Sequence, residues 1–150
     1  MGEAELQPNN NLLIIHAVIN IYGDAANEDL AFQVAKDVEH FWNDADGKVA
    51  IRDGWFSKKI YNVKFSITGK LDKALTPETV FENTDPRNNY FRIEEFAIGD
   101  ISFVDGLNSN TGYFKLQNIL DNSTTAAHEF GHTLGLDHPH NLDIRGGGTP

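Results

Sequence analysis

Three histidines and a glutamate lie close together late in the sequence, at positions His128, Glu129, His132 and His138. Gly135 lies between the last two histidines. If the first part of this string is helical, His128 and His132 lie one turn apart on the same face, because each residue advances the helix by about 100°. One rigid element then offers two imidazoles to a single ion. The pattern H-E-x-x-H-x-x-G-x-x-H predicts a zinc site with a general base beside it.

The remaining residues of the string complete the chemistry. Glu129 is rotated off the histidine face, so we expect it to act on a water at the metal and not to bind the ion. Gly135 can take the left-handed conformation that ends a helix, and this structural turn lets His138 approach as the third ligand. Three protein ligands leave a fourth position open for water, as in catalytic zinc sites.

Histidines on a helix surface are the ordinary alternative to a zinc site. With the composition of this chain, five fixed residues at these spacings arise by chance with a probability of roughly five in a hundred thousand. The other face of the predicted helix is apolar and suited to packing against a sheet; it carries Ala126, Ala127, Phe130 and Leu134. The zinc site is therefore the stronger hypothesis.

The same string resembles the zinc-binding consensus of the metzincin clan of metallopeptidases. Phe130 and Gly131 are similar to the matrixins, whereas Pro139, directly after the third histidine, is closer to the serralysins. The detailed match covers residues 128–139, so the subfamily stays open.

The resemblance implies a zinc-dependent metalloendopeptidase with one catalytic Zn²⁺, acting on extended peptide or protein substrates. It implies His128, His132 and His138 as ligands and Glu129 as base and proton shuttle. It also implies a secreted or extracytoplasmic location. A peptidase of this kind holds its substrate as an added strand at a sheet edge. The candidates for that edge are 90–97 and 101–104; no specificity residues are predicted.

The chain departs from the metzincin pattern in one respect. Metzincins carry a methionine-containing turn after the third histidine, but the single methionine here is Met1. Residues 145–150 read Arg-Gly-Gly-Gly-Thr-Pro and indicate a loop. We expect one catalytic domain over 1–150 that is truncated after the third ligand. His140 could serve as a substitute ligand, although a solvent-facing loop histidine is the commoner case.

Three functions remain open at this stage. The chain could be an active zinc endopeptidase, or a catalytically impaired domain that binds zinc or peptide. It could also be a fragment of a larger secreted protease or toxin. Zinc content together with chelator-sensitive hydrolysis separates the first two.

Composition excludes several other classes. A formal net charge of −10 disfavours a nucleic-acid partner, and the absence of cysteine excludes disulfides and thiolate zinc sites. The apolar run 12–19 is too short to span a bilayer, so no membrane insertion is expected. A calcium site is unsupported, because Asp44, Asp46 and Gly47 lack the later acidic ligand of a calcium loop.

The elements that must position the site follow from periodicity. A continuously apolar run, 12–22, predicts a buried strand, and Asn27 is suited to cap a helix that runs to about Asp44. Strand, helix and strand in succession favour a parallel crossover. Further strands are predicted at 49–51, 61–68, 90–97, 101–104 and 113–116, with 121–123 as caps of the histidine helix.

The fold class that follows from these elements is α/β (α+β). Periodicity alone predicts a mixed sheet with helices. The resemblance adds a metzincin-like N-terminal subdomain, in which a mixed twisted sheet carries a backing helix and an active-site helix. Trp42, Trp55 and the phenylalanines are expected in the core.

Overall fold

A computed structural model describes residues 1–96 and 98–138 of the chain. Seven strands and three helices follow one another in it, with short 3₁₀ turns at Pro8–Asn10, Ile98–Asp100 and Leu116–Ile119. The elements in chain order are β1 Glu3–Gln7, β2 Leu12–Tyr22, α1 Glu28–Asp44, β3 Lys48–Asp53, β4 Ser57–Leu71, α2 Pro77–Phe81, β5 Asn88–Glu94, β6 Phe103–Val104, β7 Thr111–Lys115 and α3 Thr125–Thr133.

All seven strands belong to one mixed sheet with the order β3-β4-β2-β5-β7-β6, and β1 pairs separately with β2. The central pairings β2–β4, β2–β5 and β5–β7 are parallel. The outer pairings β3–β4, β6–β7 and β1–β2 are antiparallel. The molecule is therefore an α+β protein with a mixed sheet, as the sequence predicts at that level.

Helix α1 backs this sheet and buries Leu30, Val34 and Val38 in the core. The predicted cap is confirmed, because the Asn27 side chain accepts a hydrogen bond from the backbone N–H of Leu30 at 2.8 Å. The helix passes so close to β4 that a Cβ built at Gly69 would lie 2.0 Å from the carbonyl oxygen of Ala31. Glycine at this position is therefore what permits the close contact between helix and sheet.

The side chains of α1 also complete the hydrogen bonding of β4. Asn43 accepts from the N–H of Phe65 at 2.8 Å and donates to its carbonyl at 3.0 Å. Glu39 accepts from the N–H of Ile67 at 2.8 Å. Because β3 pairs with β4 only up to Asn62, these two helix side chains satisfy the strand edge beyond it.

Two sequence expectations differ from the observed fold. The strand that directly follows α1 is β3, which is antiparallel to β4, so the parallel crossover from β2 reaches β4 instead. Strands β3 and β4 form a hairpin, which adds β3 to the sheet as an extra edge strand. Trp55 and the phenylalanines are predicted in the core, but Trp55 is 90% exposed because it lies at the tip of the β3–β4 hairpin. The prediction also fails for four phenylalanines that are 66–100% exposed: Phe32, Phe56, Phe81 and Phe96. Among the described residues, no helix has the length and apolar character to cross a membrane.

Candidate metal centre

Helix α3 begins without the side-chain cap that the sequence predicts. The N-cap residue, Thr124, makes no capping hydrogen bond, and Asp121 and Asn122 adopt positive φ values of 58°. Of the predicted capping residues, only Ser123 contributes, by accepting from the N–H of Thr125 at 3.1 Å. The helix is therefore held in place mainly by its packing.

The packing of α3 comes from its apolar face. Phe130 is fully buried, and its ring meets that of Phe65 edge-on with centroids 6.5 Å apart. The indole N–H of Trp42 donates to the carbonyl of Ala127 at 2.9 Å. A Cβ at Gly131 would lie 2.9 Å from the Trp42 ring, so glycine lets the helix approach the indole. These contacts fix the rotation of α3 and turn His128 and His132 away from the core.

The three predicted ligands converge in space. His128, His132 and His138 each offer a ring nitrogen, and these nitrogens lie within 4.8 Å of one another. The Nε2 atoms of His128 and His132 are 3.2 Å apart. Two ligands of a tetrahedral zinc ion at its usual bond length are separated by about 3.3 Å. The donor set and this spacing therefore fit zinc.

The imidazole of His132 is oriented by the chain itself. Its Nδ1–H donates to the backbone carbonyl of Leu136 at 2.7 Å, which leaves the Nε2 lone pair directed at the cluster. Metal-binding histidines commonly use their second nitrogen in this way. The sequence contains no side-chain signal for this contact, because the acceptor is a main-chain oxygen brought back by the turn.

That turn is formed at Gly135, which adopts φ of 85°. The N–H of Gly135 donates to the carbonyl of His132 at 3.0 Å, and the N–H of Leu136 donates to that of Gly131 at 3.1 Å. This is the hydrogen-bond pattern of a Schellman motif, which requires a left-handed residue after the helix. The turn reverses the chain and brings His138 to the other two histidines, as the sequence predicts.

Glu129 lies on the side of α3 that faces strand β6. Its side chain is only 8% exposed, and the backbone N–H of Val104 donates to its carboxylate. Burial raises the pKa of Glu129, against the opposing effects of His132, the Val104 hydrogen bond and His138. A partly desolvated carboxylate beside the three-histidine cluster is well suited to act as a base. Desolvation also lowers the pKa of His128, with smaller contributions from His132 and His138.

The cluster opens into a cleft of about 470 Å³ between α3 and the segment that contains β6. Phe103 and Val104 form one wall, and His128, Glu129 and His132 form the other. Of the two strands predicted to flank the cleft, β6 does so and is an edge of the sheet. The prediction for 90–97 is wrong, because β5 is paired with β2 on one side and β7 on the other.

A larger cavity of about 810 Å³ lies elsewhere on the sheet, lined by Arg92, Glu94, Phe103 and Tyr113 among others. Phe103 borders both cavities, and its ring stacks on that of Tyr113 with centroids 5.7 Å apart. The larger cavity contains none of the three histidines. The three histidines therefore line the smaller of these two cavities.

The predicted substitute ligand, His140, and the predicted loop at 145–150 lie outside the described residues.

The residues that resemble a fragment of a calcium loop lie at the end of α1. Asp46 has φ of 49°, and its N–H donates to the carbonyl of Asn43 at 3.1 Å as α1 ends. Its carboxylate lies 3.6 Å from the ammonium of Lys48. Asp46 therefore serves as a turn and surface residue after α1, whereas Asp44 is the last residue of that helix.

Comparisons with protein-family models, with curated proteins and with solved structures find no match to this chain.

Proposed function

We propose that this chain is a zinc-dependent metalloendopeptidase domain. The observation that carries the proposal is the convergence of His128, His132 and His138 within 4.8 Å, next to the buried carboxylate of Glu129. The cluster lies in a cleft at a sheet edge, where an extended peptide can reach it. No other group of three or more His, Cys, Asp or Glu residues in the described ranges has metal-binding geometry.

The three histidines would hold the zinc through ring nitrogens. Zinc in such a site supplies Lewis-acid chemistry, since it polarises a carbonyl and lowers the pKa of water to near 7. Glu129 accepts the proton of the attacking water and passes it to the leaving amine, so no covalent intermediate with the protein is needed. The hydrogen bond from Val104 to Glu129 holds the carboxylate in place for both transfers.

Strand β6 would bind the substrate. Its inner edge pairs with β7, and the Val104 N–H is on the side that faces α3. A peptide in the cleft would lie against β6 and pass in front of the histidines. Because β6 has two residues and its Val104 N–H already donates to Glu129, the strand edge would add few main-chain hydrogen bonds to the substrate.

The resemblance of the histidine string to the metzincins supports the same function. The order of a strand, a backing helix, further strands and an active-site helix is that expected of a metzincin-like N-terminal subdomain. Under this proposal the protein acts outside the cytoplasm on peptide or protein substrates. A second function stays in view beside this one, because a three-histidine cluster can bind a metal ion without catalysing hydrolysis.

That second function is a zinc- or peptide-binding domain without turnover. Zinc content and casein hydrolysis, measured with and without a chelator, distinguish the two. The peptidase proposal expects one zinc per chain and hydrolysis that chelation abolishes and added zinc restores. His132→Ala should lose both, whereas His40→Ala, an exposed histidine on α1, should retain both. One zinc per chain without hydrolysis would favour the binding domain, and no zinc would contradict the peptidase and any zinc-binding role.

A further inference from the structure

The β3–β4 hairpin ends in a tip, residues 54–56, that carries two uncovered aromatic rings. Trp55 is 90% exposed and Phe56 is 100% exposed. Large aromatic side chains are seldom left fully in water, because burying them is among the most favourable contributions to folding and binding. Two adjacent rings at one tip therefore indicate a surface that binds something.

Basic residues surround this hairpin tip. Residues 48–59 hold four of the chain's twelve Lys and Arg residues and one acidic residue, Asp53, although the whole chain has a formal net charge of −10. Arg52 and Lys58 are directly opposite each other in the strand register, and both are exposed. Like charges at such a position destabilise a strand pair. An anionic partner would relieve that repulsion.

The other two basic side chains are already engaged. The Lys59 ammonium donates to the carbonyl of Pro8 at 2.6 Å and lies 5.3 Å from the centre of the Tyr61 ring. Lys48 lies 3.6 Å from a carboxylate oxygen of Asp46. By contrast, Arg52 and Lys58 form no ion pair within the described residues. They share one face of the hairpin with Ile60, which is 54% exposed.

We propose that this hairpin attaches the protein to the surface of an anionic lipid bilayer. Trp55 and Phe56 enter the headgroup region, where aromatic rings are favoured, while Arg52 and Lys58 contact lipid phosphates and carboxylates. This is peripheral attachment by a loop and does not need a membrane span.

The shape and the charge favour a lipid surface over other anionic partners. The tip is convex, and a Cβ built at Gly54 would meet no atom within 4 Å. A protruding tip suits a deformable interface better than a rigid groove. Two unpaired cations are few for a nucleic-acid backbone, whose binding depends on many phosphate contacts. Rings in the headgroup region and cations at an anionic lipid surface act together in reversible membrane attachment.

The position of the hairpin is compatible with the proposed peptidase and does not depend on it. In the sheet order, β3 is at one edge and β6, which flanks the histidine cleft, is at the other. Attachment through the hairpin therefore leaves the cleft open to solvent. Binding to lipid can be measured whether or not the chain hydrolyses peptides.

Vesicle sedimentation tests the proposal. We expect binding to vesicles of phosphatidylcholine with phosphatidylserine, little binding to phosphatidylcholine alone, and weaker binding as salt increases. Trp55→Ala combined with Phe56→Ala should abolish sedimentation. Arg52→Gln combined with Lys58→Gln should weaken it by on the order of 30-fold. Phe81→Ala removes an equally exposed ring from α2 and should bind like the parent chain.

Tryptophan fluorescence gives a second readout. The chain has two tryptophans, and Trp42 is half-buried against α3, so a blue shift on adding anionic vesicles should come from Trp55. Trp55→Phe should bind vesicles but lose the shift. Unchanged sedimentation of the double alanine variant would overturn the proposal. So would binding to a single-stranded oligonucleotide without vesicle binding, or a dimer in solution that the same variant dissociates.

Discussion

Two helices pack on the same sheet but serve different purposes. Helix α1 has 17 residues, a side-chain cap at Asn27 and a regular buried stripe. Helix α3 has nine residues, no capping bond from its N-cap, and six buried positions that include Glu129 and Gly131. Isolated helices shorter than about 12 residues are marginal in water, so α3 depends on tertiary contacts where α1 has local support.

A short helix can hold side chains in a fixed position when its packing replaces local support. The polar side chains of α1 complete the sheet, as Asn43 and Glu39 do for β4. Those of α3 point into a cleft, because Gly131 lets the opposite face approach Trp42 and Phe130 packs against Phe65. The polar side chains of the two helices therefore have different surroundings, the edge of β4 for α1 and the cleft for α3, and this division can be tested.

The largest change in hydrolysis rate is expected when a glutamate on α3 is substituted, and none is expected for a glutamate on α1. Glu129→Gln should reduce peptide hydrolysis by roughly 10²- to 10⁴-fold while zinc stoichiometry is unchanged, because a general base is lost and no ligand is. Glu28→Gln, in the exposed first turn of α1, should leave the rate unaltered. Hydrolysis rates and zinc content of the purified variants check this. Full activity in Glu129→Gln would refute the assigned role.

Truncating one core residue in each helix should affect different properties. Leu30→Ala in α1 should lower the free energy of unfolding by about 2–5 kcal/mol, and Phe130→Ala in α3 by about 3–5 kcal/mol. At urea concentrations too low to unfold either variant, only Phe130→Ala should also weaken zinc binding, since Phe130 fixes the rotation of α3. Urea denaturation and zinc titration measure both. Equal losses of zinc affinity in the two variants would contradict the division between the helices.

Zinc affinity should depend on pH through the histidines of α3. Ligand histidines must be neutral, and they ordinarily titrate near pH 6.5, so affinity should fall by about tenfold per pH unit or more below roughly pH 6. Desolvation lowers the pKa of His128, which means that its neutral form persists below the usual value. Competition with a chromophoric chelator from pH 8 to pH 5 measures the effect. An affinity at pH 5 equal to that at pH 7 would argue against histidine ligands.

The smallest expected effect concerns the helix N-termini. Asn27→Ala should cost about 1 kcal/mol, because it removes the acceptor for the N–H of Leu30. Thr124→Ala should change stability by no more than a few tenths of a kcal/mol, since the Thr124 side chain makes no capping bond. Urea unfolding of both variants gives the comparison. Equal costs would show that α3 has a cap that its geometry does not reveal.

Local features were predictable because neighbouring residues determine them. The span of α1, its Asn27 cap and the left-handed Gly135 follow from capping chemistry, helical periodicity and the conformational freedom of glycine. The spacing of His128 and His132 places them on one helix face wherever that helix packs. Their role as zinc ligands, with that of His138, remains a prediction.

The errors concern residues whose environment is set by distant parts of the chain. Strand 90–97 was one candidate for the substrate edge, yet β5 lies between β2 and β7 in the sheet. Trp55 was assigned to the core from its hydrophobicity, yet the β3–β4 hairpin carries it into solvent. Periodicity describes which face of a strand is apolar and does not state which neighbour covers it.

The sequence by itself determined the chemical identity of the candidate site: three histidines, a glutamate and a turn, at spacings that helix geometry makes meaningful. The tertiary structure alone decided the surroundings. It selected β6 as the edge beside the histidines, placed the Val104 N–H against the Glu129 carboxylate, and left Trp55 and Phe56 uncovered at the far side of the sheet. The two differ because contacts within a helix turn join residues about four positions apart, whereas strand pairing and burial join residues that are far apart in the chain.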